Sequence, residues 1–360
     1  MHIGIPAETM PFEGRVGLIP EACADLVRAG HQVTLQAGAG LSSGYQDAAY
    51  EQAGVKISGS LSELLSEADL LIKVKQPDES LLDLLQPHHT LFCFLHLAAD
   101  KPLAARLQHT GCTAIAFETV SESGRLPLLA PMSEIAGTLS VQIGTGLLHS
   151  PQGGRGVMLG GIAATERGQV VILGAGHAGY SACRLAAAQG AQVTVFDLDR
   201  QRLQAVRNLG DNVTALYPFN SSLQQQVSSA DLLIGAVLLP GARAPHLVSE
   251  AMVKTMRPGS VIVDISVDQG GCIETTRPTD YNDPVFRYAD VIHFGVTNMP
   301  GAVARTASQA LSAVLLPYVL RLADDADQGA GQASQVLSDA INIRVGQIMN
   351  SVVAQALKKE

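Results

Sequence analysis

The chain has no tryptophan, and only 4% of its 360 residues are aromatic. Without large rings to fill space, its core must be built from Ala, Val, Leu and Ile, which suits a parallel sheet covered by helices. Charge is also thin, at 16% of residues, with a formal balance of −9 and no run of Lys or Arg. That argues against a nucleic-acid surface built on phosphate neutralisation. Cys23, Cys93, Cys112, Cys183 and Cys272 lie far apart with no C-x-x-C between them. Neither a disulfide framework nor a zinc site is expected, and the histidines show no metal-ligand spacing; His88-His89 reads as an exposed loop after Pro87. No charged-then-apolar leader precedes the first strand, and the apolar stretch 310–322 is broken by Pro317. The expectation is a soluble cytoplasmic protein with no metal and no membrane partner.

What is present is ample apolar material, 47% of residues. At this length it predicts two domains. Residues 1–130 alternate strands and helices: strands at 2–5, 32–36, 70–74, 90–95 and 113–117, with helices at 20–29, 61–66, 79–85 and 102–110. A long helix over 132–149, with Ser133 as a possible cap, leads to the glycine-rich stretch 152–161 and a second strand series near 169–173, 192–197, 212–217, 232–237, 261–265 and 291–295. Two amphipathic helices, 301–323 and 333–358, joined by a link at 324–334, are expected to return to the first domain. The fold class is therefore α/β: two doubly wound Rossmann-like domains with a cleft between them, one of residues 1–130 plus 301–360, the other of 131–300. The recurrence of ADLLI at 68–72 and 230–234 is mild support for two similar halves.

The most informative stretch is QVVILGAGHAGY at 169–180, an apolar strand running into glycines spaced G-x-G-x-x-G and then a helix. Gly174 makes the sharp turn, Gly176 lets backbone approach a pyrophosphate, and Gly179 lets helix pack on strand. The helix N-terminus offers its N–H groups to the anion. A second strand ends in Asp197, placed to accept from a ribose 2′-hydroxyl and to repel a 2′-phosphate, so the cofactor is expected to be NAD rather than NADP.

Ligands of open parallel sheets bind outside the carboxyl ends of strands. That rule singles out Lys75 and His96, closing the strands ADLLIKVK and TLFCFLH, Asp268 after VIVDIS, Asn298 after VIHFGVT, and Arg15 in the polar loop after the first strand. Each also has an ordinary structural explanation: a surface loop arginine, a solvated strand end, a buried histidine, a turn aspartate, a helix-capping asparagine. Lys73 shares a face with Lys75 by strand alternation and rivals it. Together, two cations, a histidine and a carboxylate at strand ends beside a nicotinamide form a reasonable hydride-transfer site.

With these residues in place, the chain resembles the family that unites alanine dehydrogenases with the NAD-binding subunit of proton-translocating transhydrogenase. The resemblance rests on GIPAET near the start, LLIKVKQP, LFCFLHLAA, LPLLAPMSEIAG, QGGRGVMLGG, GAGHAG, GAVLLPGARAP, VDISVDQGG and TNMPGAVARTAS, and covers the chain to about residue 320. It implies oxidative deamination of L-alanine to pyruvate and ammonia, and the reverse. Arg15 and Lys75 would hold the substrate carboxylate, His96 would act as general acid/base, Asp268 would help activate water, and Asn298 would lie beside substrate and nicotinamide. Ser133 and the loop 235–239, with Val237 and Leu238, would contact NAD. A homohexamer is implied as well. The chain departs from the family pattern in the loop Met10-Pro-Phe-Glu-Gly14, at Gln76 where an acid is usual, and at Ala304 where a proline is usual. These departures keep open the same chemistry on a different amino or imino acid. A third reading, a non-catalytic transhydrogenase-like NAD-binding subunit, needs neither a carboxylate clamp nor His96.

Overall fold

Short runs of Val, Ile and Leu make the strands, because residues buried on both faces of a parallel sheet need no polar alternation. Leu70, Leu71 and Ile72, for example, are all fully buried. The computed structural model describes residues 1–237, 244–327 and 335–358. In chain order the first strands are β1 (His2–Ile5), β2 (Gln32–Gln36), β3 (Lys56–Ser58), β4 (Leu70–Ile72), β5 (Thr90–Cys93) and β6 (Thr113–Ala116). Then come β7 (Gln169–Leu173), β8 (Gln192–Phe196), β9 (Val213–Leu216), β10 (Leu232–Gly235), β11 (Val261–Asp264), β12 (Val285–Tyr288) and β13 (Val291–Phe294). The last are β14 (Ile341–Arg344) and β15 (Gln347–Ile348).

Two compact units result, Met1–Met132 with Gly301–Glu360, and Ser133–Pro300. The first holds an eight-stranded sheet in the order β15-β14-β6-β5-β4-β1-β2-β3. The second holds seven strands in the order β12-β13-β11-β10-β7-β8-β9. Apart from β12, β14 and β15 at the edges, all pairings are parallel. Strand order reverses between β1 and β4 in one unit and between β7 and β10 in the other, the switch points of doubly wound sheets.

The chain's end departs from the expected helix over 333–358. Its described part holds the helix Gln335–Asp339, then β14 and β15, then the helix Ser351–Lys358. The pairing of Ile341 with Ile115 and of Ile343 with Ala114 shifts register between the two isoleucines, and Val345-Gly346 turns the chain at φ values of +49° and +72°. β14 joins β6 antiparallel and extends the first sheet. The expected link at 324–334 begins as helix, since Ala304–Asp327 is continuous and Pro317 lies inside it without breaking it; residues 328–334 fall outside the described residues. Among the described residues, the segment Met299–Asp324 is long and apolar enough to cross a membrane. Its stripe of Ala307, Leu311, Leu315, Val319 and Ala323 is fully buried within its own unit, as in a core helix.

His89 also departs from the exposed loop assigned to it, being 1% exposed where His88 is open to solvent. Its Nδ1 accepts the Gln86 N–H at 2.8 Å, so Nε2 carries the proton and donates to the Leu65 carbonyl at 3.0 Å. Burial pushes its pKa below the ordinary 6.5. His293, buried between Thr275 and the Val291 carbonyl, is pushed down for the same reason. An imidazole held neutral in the folded state contributes stability that is complete above its unfolded pKa and is lost as pH falls below it. The urea midpoint should therefore fall between pH 7.5 and pH 5.5, and His89→Gln should shrink that difference. A wild-type midpoint that does not change over this range would contradict the assignment.

Candidate active site

Arg15, Lys75 and His96 follow β1, β4 and β5, three neighbouring parallel strands whose carboxyl ends face the same edge of the first sheet. Where backbone leaves a ladder its N–H groups need new acceptors. Here carboxylates supply them. Glu8 accepts from the Val74 N–H at 2.7 Å, the Lys75 N–H at 3.3 Å and Lys73 Nζ at 2.5 Å. Burial pushes the Glu8 carboxyl up while the Lys73 ammonium draws it back. β4 ends at Ile72, so the alternation linking Lys73 to Lys75 does not reach them, and Lys75 lies three residues beyond the strand. Lys73, 2% exposed, is paired with Glu8, whereas Lys75 is partly exposed.

Glu118 does the same for His96, which lies beyond β5 rather than at its last position. The Leu95 N–H and His96 N–H donate to its two oxygens at 3.2 and 2.6 Å. His96 has φ +50°, its ring stacks on Phe94 at 5.8 Å, and its side chain is 48% exposed. Glu13 holds Arg15: Oε1 accepts the Arg15 N–H at 3.1 Å and Nε at 2.7 Å, and Oε2 accepts from Nη2 at 2.5 Å. Nη1 approaches Met132 Sδ at 3.2 Å. Arg15 is only 3% exposed, so it is not a solvated loop residue.

Glu8, Glu13 and Glu118 escape a sequence reading because acids in loops look solvated; their one signal is an acid two or three residues past a strand in two of the three cases. The departures have structural consequences too. Gln76 Nε2 donates to the Leu95 carbonyl at 2.6 Å, tying the Lys75 turn to the His96 turn, a bond no carboxylate could donate. Gly14 and Ala304 adjoin, and a Cβ on Gly14 would lie 3.2 Å from that of Ala304.

In the second unit the glycines form a turn that side chains would block. Gly174 has φ +96°, and a Cβ there would lie 2.5 Å from the Ala236 carbonyl oxygen. A Cβ on Gly179 would lie 1.8 Å from the Gly174 oxygen, whereas at Gly176 nothing comes within 4 Å. Gly176 is the N-cap of the helix His177–Ala188, so open space adjoins unpaired helix N–H groups, a fit for a pyrophosphate. Asp197 accepts the Ala175 N–H at 2.6 Å and the Asp199 N–H at 2.7 Å, one per oxygen, leaving lone pairs for ribose hydroxyls.

Val237 follows β10 and donates its N–H to Ser266 Oγ at 3.0 Å; Leu238 lies outside the described residues. Asp268 is exposed on the turn Ile265–Gln269 after β11. That turn is shaped by Asp264, 1% exposed, which accepts from the Ser266 and Cys272 N–H groups at 2.9 and 3.0 Å and whose carboxyl is pushed up by burial. Ser133 is not a cap, since its helix runs Ala130–Leu147. Its neighbour Glu134 lies 3.7 Å from His177, which places this turn beside the glycine loop. Asn298 follows β13, directly before the turn Met299–Val303. Among the described residues no cluster of His, Cys, Asp and Glu could hold a metal.

A family model described as alanine dehydrogenase/PNT, N-terminal domain matches residues 4–136, and its C-terminal counterpart matches 140–351. The chain belongs to the alanine dehydrogenase/PNT family. An alanine dehydrogenase of Mycolicibacterium smegmatis is 46% identical over 359 residues, 99% of this chain and 97% of that one. A solved L-alanine dehydrogenase superposes with a TM-score of 0.94 at 45% identity, over 99% of both chains. A transhydrogenase from Sinorhizobium meliloti, 23% identical with a TM-score of 0.84 over 98% of this chain and 99% of that one, shares the fold.

Gly179→Ala drives a methyl into the Gly174 carbonyl, and neither backbone can yield without opening the turn. NADH affinity, read by fluorescence titration, should fall at least about fivefold, since overpacking of this kind costs ~1–3 kcal/mol. Unchanged affinity would contradict the role of the turn.

Proposed function

We propose that the protein is an NAD-dependent L-alanine dehydrogenase, converting L-alanine to pyruvate and ammonia and running the reverse reductive amination. The observation that carries this reading is the set Arg15, Lys75 and His96 at one sheet edge, in a chain that also has an open glycine turn followed by Asp197.

Arg15 supplies the charge for the substrate carboxylate. Because Glu13 grips the Nε and Nη2 atoms, the plane of the guanidinium is fixed. Lys75 adds a point charge on a turn that Glu8 holds. NAD, when bound, would supply the acceptor for the hydride released from the substrate Cα. Gly174, Gly176, Gly179 and Asp197 would hold its pyrophosphate and ribose, and Ser133, Val237 and Leu238 are further contacts by family resemblance. Asn298 lies beside substrate and nicotinamide. Loss of hydride leaves an iminium, which water attacks to give a carbinolamine that collapses to the oxo acid and ammonia. His96 moves the protons at each stage, and Asp268 orients the water and stabilises the positive iminium. A cytoplasmic homohexamer is the assembly this reading carries, by family resemblance.

A second reading, the same chemistry on a different amino or imino acid, draws on Gly14, which puts no side chain beside Arg15. A screen of amino and imino acids by NADH absorbance decides: turnover with L-alanine above all others supports the first reading, and preference for another substrate the second. No turnover with any of them, alongside tight NADH binding, would sink both.

His96→Ala should lower kcat by roughly 10²–10⁴, the usual worth of a general acid/base, and near wild-type deamination would remove His96 from the mechanism. Asp197→Ser should relax discrimination against NADP; an unchanged preference would sink the ribose assignment.

A further inference from the structure

Residues 14–19 carry Arg15 through the interior of the first unit without belonging to any strand. Val16 and Leu18 are 2% and 0% exposed, so their backbone groups have no water to turn to. Side chains take the place of a ladder. Ser312 Oγ accepts the Ile19 N–H at 3.0 Å and donates to the Gly17 carbonyl at 3.1 Å. Tyr50 donates its hydroxyl to the Leu18 carbonyl at 3.0 Å.

The two peptide groups that flank Arg15 are served by a pair of fully buried hydroxyls, Ser43 and Ser308. The Val16 N–H donates to Ser308 Oγ at 3.0 Å, the two serine oxygens are 2.8 Å apart, and Ser43 Oγ lies 2.6 Å from the Gly14 carbonyl oxygen. Proton accounting gives this chain one direction. The Gly14 carbonyl can only accept, so the Ser43 hydroxyl donates to it. Ser43 Oγ must then accept from Ser308, whose own oxygen accepts from Val16. Each hydroxyl donates once and accepts once, and the relay spans Arg15 from one side to the other.

Ser308 and Ser312 stand four residues apart on the helix Ala304–Asp327, and therefore on one face. Serine suits the task because its hydroxyl sits one bond from Cβ and both gives and takes a proton. Glu13, just before the segment, fixes the guanidinium; the serine pair fixes the peptide from distant parts of the chain.

We infer that Ser308 and Ser43 are positioning residues for Arg15, holding its backbone in the register that carboxylate recognition requires. The inference rests on the reading in which Arg15 binds the substrate carboxylate. It also separates Ser308 from Ser312, whose bonds are of the same kind but lie two to four residues beyond Arg15.

Steady-state kinetics of full-length Ser308→Ala, Ser312→Ala and Ser308→Thr test it. Ser308→Ala should raise KM for L-alanine, and for pyruvate in the reverse direction, by about tenfold, the order expected when a buried donor loses its acceptor. Its kcat and its KM for NAD and ammonium should stay within about twofold of wild type. Ser308→Thr, which keeps the hydroxyl, should restore both carboxylate KM values. Ser312→Ala should lower the thermal midpoint as Ser308→Ala does but leave those KM values alone. Should Ser308→Ala not fold, Ser43→Ala breaks the same relay and reads the same KM. Equal KM effects from Ser308→Ala and Ser312→Ala, or no KM effect from Ser308→Ala, would overturn the inference. Arg15→Gln separates the two levels: a raised carboxylate KM with Ser308→Ala silent defeats the positioning role alone. An unchanged KM in Arg15→Gln defeats the reading beneath it as well.

Discussion

A carboxylate accepting backbone N–H groups just past a strand is the interaction on which this protein's functional turns depend. Parallel strands deliver several chain segments to one sheet edge, but each loses its ladder partners on arrival. Glu8, Glu118 and Asp264 each bind two backbone N–H groups at such a point, and Glu13 binds the Arg15 N–H together with its guanidinium. Asp197 joins the end of β8 to the glycine turn in the same way. An ionised carboxylate offers about four acceptor sites and needs no donor of its own, so one acid can shape a whole turn.

This solution carries an electrostatic cost that the molecule offsets locally. Burying a carboxylate raises its pKa unless positive charge or N–H dipoles face it. Glu13 faces the Arg15 guanidinium and Glu8 the Lys73 ammonium, whereas Asp264 is met by backbone N–H groups and the Cys272 thiol. Removing one member of such a pair strands the other, at a cost of about 3–5 kcal/mol, far more than the intact pair contributes. Lys73 and Glu13 are therefore as intolerant of substitution as residues that meet substrate, though for reasons of folding. Activity loss alone cannot tell the two classes apart, and KM, kcat and stability need to be read together.

Much of the architecture is legible in the sequence because its causes are local. The strands show as apolar runs, and the glycine turn shows because only glycine fits at Gly174 and Gly179. Three parts are hidden. β14 lies in a composition that also supports a helix, and its pairing with β6 and β15 selects the strand. The alternation that links Lys73 to Lys75 fails because β4 stops at Ile72: the Lys73 N–H still meets the Phe92 carbonyl, but Glu8 takes the Val74 and Lys75 N–H groups. Glu118 is separated by more than twenty residues from the backbone it shapes, and the serines of the helix Ala304–Asp327 by nearly three hundred from Arg15's segment. Tertiary partners at that distance leave no period to read.

The central claim is chemical: hydrogen leaves the substrate Cα as hydride and the amino group leaves as ammonia. L-Alanine deuterated at Cα, turned over with NAD and followed by mass spectrometry of the dinucleotide and the acid, tests it most directly. The account predicts NADH carrying the deuterium at C4 of the nicotinamide, with pyruvate and ammonia formed in equal amounts. Unlabelled NADH, or label retained in the acid product, would contradict it.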